Sequence, residues 1–353
     1  MKQLRVDLRS DTVTRPTLKM RQAIYDAEVG DDVLGEDPTI NRLEKEGAAR
    51  LGKEDSLFIP SGTFGNQLAL LTHCDRGSEV VLSDDCHIVQ HEAGAAAVIA
   101  GVQLRTFKPT GGVPAWTDVA PYIREGDNIH CPNTSLIEVE NALSNGDVIP
   151  LESLRKIRSE SRQHGIPIHL DGARIFNAAS CLGVAASDLA DCADSVMFCL
   201  SKGLCAPVGS LLAGSRDFIQ KARRGRKIMG GGMRQAGILA AAGLVALEEM
   251  IDRLPEDTEK AALLAAAFTR TGILEVAPGE VKINMFFLRF QPGPYAGLET
   301  ELVARLGEAG ILVYPPFDGW IRFVTHHDVS GAEIREAAER IAPLVERLTA
   351  ERR

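Results

Sequence analysis

The chain has 353 residues, which is enough for two average domains or for one large enzyme subunit with an appended lobe. Hydrophobic residues make up 45% and charged residues 25% of the chain, the balance of an ordinary soluble globular protein. The net charge of −9 and the short apolar runs, the longest at 93–102 and 236–247, argue against a nucleic-acid partner, an anionic membrane surface and a transmembrane helix.

The first 250 residues alternate short apolar runs with segments of helical periodicity. Seven strands are predicted, at Ser56–Pro60, Glu79–Leu82, Gln103–Phe107, Ser135–Val139, Ile166–Leu170, Ser195–Leu200 and Gly209–Ala213. Helices are predicted between them, at Phe64–His73, His87–Ala100, Leu151–His164 and Arg174–Ser180. This order indicates an α/β fold with a mostly parallel central sheet and helices on both faces. Because ligands bind beyond the carboxyl ends of such strands, functional residues are expected directly after strands.

The last hundred residues predict a smaller α/β domain with its own antiparallel sheet. Its elements are predicted as helices at Ile238–Ile251 and Thr258–Thr271, an alternating segment at Val281–Phe290, a helix at Glu301–Ala309, apolar runs at Ile311–Tyr314 and Trp320–Val324, and a final helix at Gly331–Glu351. The predicted domains are therefore residues 1–249 and 250–353.

The cysteines and the amino terminus indicate a cellular location. The seven cysteines are odd in number and none forms a CxxC pair, which favours reduced thiols over disulfides or zinc ligands. The amino terminus has no apolar segment of the kind found in signal peptides. These features predict a cytoplasmic protein.

Two charged residues follow predicted strands about one βαβ unit apart. Lys202 comes after an apolar run, where desolvation would lower its pKa and make its amine a Schiff-base nucleophile. Asp171 ends the preceding strand, where it either caps a helix with Arg174 as its partner or faces the catalytic crevice. An enzyme that uses pyridoxal 5′-phosphate (PLP) needs an aspartate to keep the pyridine nitrogen protonated. The pair favours a shared PLP site, although each residue alone is more often structural.

The segment Ser61–Asn66 follows a strand and opens a helix. Gly62 lets a ligand approach the backbone, and Thr63 offers a hydroxyl at a helix N-terminus that favours anions. A phosphate site and a plain helix cap by Ser61 or Thr63 both fit these residues. The segment matches neither a P-loop nor a GxGxxG fingerprint, which disfavours nucleotide binding.

Two histidines lie in the loop and helix after the second predicted strand. The ring of His87 can lie flat on a pyridine ring or transfer protons. His91 lies four residues on, so both imidazoles are expected on one helix face. This spacing would also suit a metal pair, but no third ligand is evident nearby and no metal is predicted.

Ordered motifs cover almost the whole chain and carry a family resemblance. They are Leu8–Pro16, Val29–Thr39, Ser61–Asn66, His87-Ile88, Glu92–Gly94, His169–Phe176, Leu200–Ser210, Gly230–Gln235 and Ile321–His326. With these motifs the sequence resembles the L-threonine aldolases of the low-specificity type, which are fold-type I PLP enzymes in the beta-eliminating lyase family. The resemblance implies cleavage of L-threonine, L-allo-threonine and similar β-hydroxy-α-amino acids to glycine and an aldehyde. It also implies a homotetramer whose active sites are shared between subunits.

The resemblance assigns roles to the candidate residues. Lys202 would carry PLP as a Schiff base, Asp171 would pair with the pyridine nitrogen, and His87 would stack on the ring. The phosphate would be bound by Gly62 and Thr63. Lys227 and Arg234 would complete either the phosphate site or the active-site wall, as residues of the same subunit or of a neighbouring one. The substrate carboxylate would be bound by Ser10, Arg174 and Arg322, which gives the amino-terminal segment 1–16 a part in the site and places Arg174 beside the cofactor. Arginine suits this task because it can form two parallel hydrogen bonds with a carboxylate.

Two leucines depart from the family pattern around the substrate's β-carbon. Leu143 replaces a histidine that contacts the β-hydroxyl, and Leu34 replaces a tyrosine. Both changes remove polar groups and predict a more apolar pocket. His91, where the family usually has an aromatic residue, could restore the lost imidazole.

Three hypotheses accommodate these departures. The preferred one is an aldolase that accepts bulkier, apolar substrates such as phenylserine, with His87, His91 or water as the base. The second is a related PLP enzyme that racemises amino acids or catalyses β-elimination. The third is a PLP-binding protein without catalytic function. The first is preferred because the full Schiff-base and carboxylate-binding set is retained.

Overall fold

The computed structural model describes residues 5–126 and 128–351. The chain forms two compact units. The large unit contains residues 16–144 and 148–251, and the small unit contains residues 5–15, 145–147 and 252–351. The sequence analysis assigned the amino-terminal segment to the large domain, whereas the structure groups residues 5–15 with the small unit. Residues 1–4 of that segment and residues 352–353 of the predicted second domain lie outside the described residues.

A seven-stranded sheet forms the centre of the large unit. Its strands are β2 (Asp55–Ile59), β3 (Glu79–Ser83), β4 (Gln103–Phe107), β5 (Thr134–Glu140), β6 (Ile168–Asp171), β7 (Ser195–Cys199) and β8 (Ser210–Gly214). The strand order is β2-β8-β7-β6-β5-β3-β4, in which β8 runs antiparallel to both neighbours and the other pairs are parallel. Strands β3, β6, β7 and β8 are buried along their whole length. Burial on both faces explains why they appear in the sequence as continuous apolar runs.

Helices cover this sheet. They are α1 (Leu18–Tyr25), α2 (Pro38–Arg50), α3 (Gly62–His73), α4 (His87–Gln90), α5 (Trp116–Val119), α6 (Leu151–Gln163), α7 (Ile175–Leu182), α8 (Ala186–Ala190), α9 (Arg216–Ile228) and α10 (Gly237–Val245). Short 3₁₀ turns lie at Asp32–Leu34, Thr110–Gly112 and Ala120–Tyr122, and π-helical turns at Ala96–Ala100 and Ala246–Met250. Several helices begin at a residue that caps their first turn. In α2, the side chain of Asp37 accepts hydrogen bonds from the first-turn N–H groups, and the first helical residue is Pro38.

The predicted continuous helix at 87–100 is wrong. Helix α4 ends at Gln90, and the backbone turns through Ala93 (φ 53°) and Gly94 (φ 73°) before the π-helical turn begins. Two successive residues in the left-handed region interrupt the helical hydrogen bonds. Glycine adopts this conformation readily but alanine does so rarely, so only Gly94 signals the break in the sequence.

The small unit contains an antiparallel sheet, as predicted. The sheet has the order β12 (Ile321–Val324), β10 (Met285–Phe290), β9 (Leu274–Ala277), and a separate parallel pair joins β1 (Val6–Asp7) to β11 (Ile311–Leu312). Its helices are α11 (Leu254–Thr269), α12 (Glu299–Glu308) and α13 (Gly331–Ala350), with a 3₁₀ turn at Asp11–Val13. The core includes Phe286 and Phe323, whose rings stack with centroids 4.9 Å apart. The pairing of β1 with β11 explains why the amino-terminal segment belongs to this unit.

Two further expectations concern the whole chain. Among the described residues, no helix combines the length and the apolar character needed to cross a bilayer. All seven cysteines are free thiols.

Candidate active site

Three charged residues lie at the carboxyl ends of adjacent strands in the large unit. Glu140 ends β5, Asp171 ends β6, and Lys202 follows the end of β7 by three residues. Glu140 and Asp171 are direct partners in the β5–β6 register. The parallel arrangement therefore brings together the aspartate and the lysine that sequence spacing had paired.

Asp171 is held rigidly at this edge of the sheet. Its side chain is buried, with 2% of the residue exposed. One oxygen, Oδ2, accepts a hydrogen bond from Asn66 Nδ2 at 2.6 Å, and the other, Oδ1, accepts one from the backbone N–H of Ala173 at 3.0 Å. Asn66 comes from α3, so helix and sheet together fix the orientation of the carboxylate.

Glu92 is the centre of a second buried cluster, next to Asp171. Its carboxylate is fully buried and accepts hydrogen bonds from His87 Nδ1 at 2.8 Å, Asn66 Nδ2 at 2.9 Å and Gln67 Nε2 at 2.6 Å. The ligand atoms of His87, Glu92 and Asp171 lie within 4.8 Å of one another. The structure thus supplies carboxylates beside His87 that the sequence analysis did not find when it considered metal ligands.

The electrostatics of His87 connect it to both predicted PLP residues. The hydrogen bond that His87 donates to Glu92 raises the pKa of His87 above its ordinary value, against the opposing effect of burial. The negative charge of Asp171 raises this pKa further, and the positive charge of Lys202 lowers it. His87 therefore lies within electrostatic reach of both residues.

Two neighbouring carboxyl groups on β5, Glu138 and Glu140, have raised pKa values. Glu140 accepts a hydrogen bond from the backbone N–H of His87 at 2.8 Å and one from the Ser144 hydroxyl at 2.6 Å. Burial, together with the charge of Asp171, raises the pKa of Glu140 to about 7. Burial raises the pKa of Glu138 well above its ordinary value. The raised pKa values of these two carboxyl groups reduce the negative charge that surrounds Asp171 near neutral pH.

The amino terminus of α3 also lies near this edge. Ser61 caps the helix, since its hydroxyl accepts a hydrogen bond from the N–H of Phe64 at 3.2 Å. Gly62 and Thr63 form the first turn. A Cβ atom at Gly62 would lie 3.0 Å from Cys199 Sγ at the end of β7, so the glycine allows close contact between helix and sheet. The cap is present, and the phosphate role of Gly62 and Thr63 stays a prediction.

His91 lies just beyond the end of α4 and is exposed. Its ring centroid is 5.5 Å from that of His87, with an angle of 58° between the rings. The two imidazoles are therefore neighbours, although the helix that was expected to carry both stops between them.

The other candidates of the large unit have more varied surroundings. Arg174 lies three residues after Asp171, at the start of α7, and is half-buried. Lys227 and Leu34 line a cavity of about 530 Å³, and Leu34 is 68% exposed. Arg234 donates a hydrogen bond to Asp31 at 2.9 Å on the surface. Leu143, by contrast, is buried, so within this unit the two leucines lie in different surroundings.

The small unit holds the remaining two candidates close together. The hydroxyl of Ser10 accepts hydrogen bonds from the N–H of Thr12 at 3.2 Å and from its hydroxyl at 2.9 Å. The guanidinium of Arg322 on β12 donates to the backbone oxygen of Arg9 at 3.3 Å, next to Ser10 in the chain. Their proximity within one unit is compatible with a shared ligand.

Sequence reasoning missed the residues that hold this site together. Asn66, Gln67, Glu92 and Glu140 were given no role, although Asn66 and Glu92 lie in motifs that carry the family resemblance. The available signal was polarity inside apolar surroundings: Asn66 and Gln67 directly precede the apolar run 68–71 of α3, and both are fully buried. A polar pair at the start of an apolar helix face indicates buried partners.

Comparison with known proteins identifies the family. The family model described as Beta-eliminating lyase matches residues 7–291. The chain belongs to the beta-eliminating lyase family. Within it, low-specificity L-threonine aldolase 1 of Arabidopsis thaliana is 46% identical over 335 residues, which cover 93% of this chain and 93% of the relative. The low specificity L-threonine aldolase of Escherichia coli strain K12 is 41% identical over 333 residues, covering 94% and 97%.

Solved structures show the same fold at lower identity. A threonine aldolase from Leishmania major is 22% identical, with a TM-score of 0.83, and the match covers 96% of this chain and 99% of that one. A structure of SPT with PLP is 15% identical, with a TM-score of 0.76, covering 98% and 88%. The predicted fold-type I architecture of this lyase and its predicted family are confirmed.

Proposed function

We propose that this lyase is a PLP-dependent aldolase that cleaves L-threonine, L-allo-threonine and related β-hydroxy-α-amino acids to glycine and an aldehyde. The observation that carries the proposal is the position of Asp171, His87 and Lys202 at one carboxyl edge of the parallel sheet. Relatives named threonine aldolases, similar over more than nine-tenths of the chain, support the same reaction.

The residues at this edge fit PLP. Each oxygen of Asp171 accepts one hydrogen bond, so each keeps acceptor capacity for the N–H of a pyridinium ring. Lys202 provides the amine for a Schiff base, and Gly62 and Thr63 provide a helix N-terminus for the phosphate. When bound, PLP supplies an aldehyde that joins the substrate amine and a ring that accepts the electron pair of the breaking Cα–Cβ bond.

The protein's own residues orient the substrate and move the proton. Arg174, three residues beyond Asp171, binds the substrate carboxylate through paired hydrogen bonds, which fixes the bond to be broken. His91, exposed beside His87, accepts the β-hydroxyl proton in place of the histidine that Leu143 replaces. Ser10 and Arg322 of the small unit are proposed, from the family resemblance, to bind a substrate carboxylate.

The proposal includes an assembly and a location. Lys227 and Arg234 are proposed to complete the phosphate site of a neighbouring subunit in a homotetramer, since both lie on the surface of their own unit. The protein is proposed to be cytoplasmic. Sedimentation of the PLP-loaded protein tests the assembly: a monomer would contradict it.

Leu143 also gives the proposal a substrate preference. The residue is 4% exposed, so it presents a buried apolar surface where the family has an imidazole. Apolar surface favours contact with hydrocarbon. We therefore expect phenylserine to be cleaved with a higher kcat/KM than threonine.

A panel of substrates tests the proposed function. The PLP-loaded protein is incubated with L-threonine, L-allo-threonine and L-phenylserine, and aldehyde and glycine are measured. We expect the two products in equal amounts from each substrate. The Lys202→Ala variant is expected to release neither product and to carry no covalently attached PLP after borohydride reduction. Release of aldehyde from none of the three would refute the aldolase. Racemisation of alanine or serine without aldehyde would favour a related PLP activity instead.

A further inference from the structure

A row of buried side chains leads from Asp171 across the large unit. Asn66 Nδ2 donates to Asp171, and Asn66 Oδ1 lies 3.2 Å from His169 Nε2. On the other side of the ring, His169 Nδ1 lies 2.8 Å from Ser195 Oγ, which in turn lies 2.8 Å from His73 Nε2. Asn66, His169 and Ser195 are fully buried, with 0% of each residue exposed. The active site thus continues into the core by four consecutive hydrogen bonds.

The carboxylates fix the direction of every hydrogen bond in this row. Asn66 faces Asp171 and Glu92 with one end of its amide, and ionised carboxylates only accept, so this end is the NH₂ group. Its oxygen must then face His169, which places the proton of that ring on Nε2. A neutral imidazole with Nε2–H offers a lone pair at Nδ1, so the Ser195 hydroxyl donates to it. Ser195 Oγ then accepts from His73, whose proton is also on Nε2.

Both histidines are suited to this neutral form. Burial lowers the pKa of His169 to about 3, and the nearby charge of His73 adds to this effect while Asp171 opposes it. Burial also lowers the pKa of His73 to about 4, with Asp194 opposing and Lys221 assisting. His73 stacks on Phe218 with centroids 4.5 Å apart, which holds the outer end of the row in place.

We infer that Asn66, His169, Ser195 and His73 form a one-way hydrogen-bond chain, with every donor directed toward Asp171, that keeps this carboxylate ionised and aligned. The inference deepens the proposed function, since it rests on Asp171 as the partner of the PLP ring. The four residues are positioning residues, because they act through Asp171. Their alignment matters because aligned hydrogen bonds in a low-dielectric interior polarise one another.

Removing one hydroxyl tests the chain against a matched control. Ser195→Ala deletes the donor to His169 and the acceptor of His73. Ser56→Ala deletes an equally buried hydroxyl on β2, which donates to the backbone oxygen of Glu44 on α2 and has no part in the hydrogen-bond chain. We expect Ser195→Ala to weaken PLP binding about tenfold and to shift the pH at which the visible absorption of the bound cofactor changes. Ser56→Ala leaves both unchanged, and Ser195→Thr, which keeps the hydroxyl, restores both.

The position of the proton on the rings of His73 and His169 provides a second, direct test. Nitrogen NMR of the PLP-loaded, histidine-labelled protein reports which ring nitrogen carries the proton, and it does not require Ser195→Ala to fold. We expect Nε2–H on both His73 and His169 at neutral pH. A proton on Nδ1 of either ring overturns the chain, and so does a Ser195→Ala variant that matches Ser56→Ala in PLP affinity and absorption. Failure of the unchanged protein to release aldehyde would refute the aldolase while leaving these protonation states as expected.

Discussion

Replacing Glu92 by glutamine tests whether this residue organises the active site. The wild-type carboxylate is fully buried and accepts three hydrogen bonds, from His87, Asn66 and Gln67. A glutamine keeps one acceptor oxygen but turns an NH₂ group toward at least one of these donors. The lost charge-assisted bond and the unsatisfied buried donor together cost about 3 kcal/mol of the free energy of unfolding.

The pH dependence of this loss has a definite sign. The pKa of His87 is raised in the folded protein, mainly by Glu92. The stability from this pair is therefore fully present below the unfolded pKa of about 6.5 and is lost as the pH rises through the folded pKa. Glu92→Gln lowers the folded pKa of His87, so the difference in unfolding free energy between wild type and variant is larger at pH 6 than at pH 9.

Denaturant titrations at both pH values, with NMR titration of His87, measure these effects. Glu44→Gln is the matched control, because Glu44 is also a buried carboxylate and accepts from the N–H of Phe58 at 2.8 Å and from Arg223. We expect the control to lose stability while the pKa of His87 stays the same. An equal loss at both pH values for Glu92→Gln, with an unchanged His87 pKa, would refute the reasoning.

Four further substitutions test packing, the proposed base and specificity. Gly65→Ala places a Cβ 2.4 Å from Ile59 Cδ1 and is expected to lower the free energy of unfolding by about 2 kcal/mol. Gly307→Ala, in open space on α12, is expected to raise it by about 0.5 kcal/mol. Chemical denaturation that finds both changes neutral would contradict this. His91→Phe is expected to lower kcat for aldehyde release about a hundredfold, and unchanged turnover would exclude His91 as the base. Leu143→His is expected to raise kcat/KM for threonine relative to phenylserine, and an unchanged ratio would separate Leu143 from substrate choice.

Much of the large unit could be predicted because its sheet is buried on both faces. Strands such as β3 and β7 are buried at every position and carry three or four consecutive apolar residues, so they stand out from the amphipathic helices between them. The same regularity made Asp171 and Lys202 predictable as a pair, since residues that end neighbouring parallel strands meet at one edge. The amino-terminal segment was harder to place, because β1 has two residues and its partner β11 is about 300 positions away.

The cluster that holds Asp171 could not be predicted for a different physical reason. Asn66, Glu92 and His169 come from three separate segments, and no spacing in the chain links them. Glu92 lies outside any helix, because α4 ends at Gln90, although a helical pattern continues in the sequence. If a regular helix had continued through Glu92, the position of this side chain could have been predicted from helical periodicity alone. The polar groups that orient Asp171 thus lie where the local sequence pattern and the tertiary structure disagree. Buried polar residues in apolar segments are the sequence signal that indicates such groups.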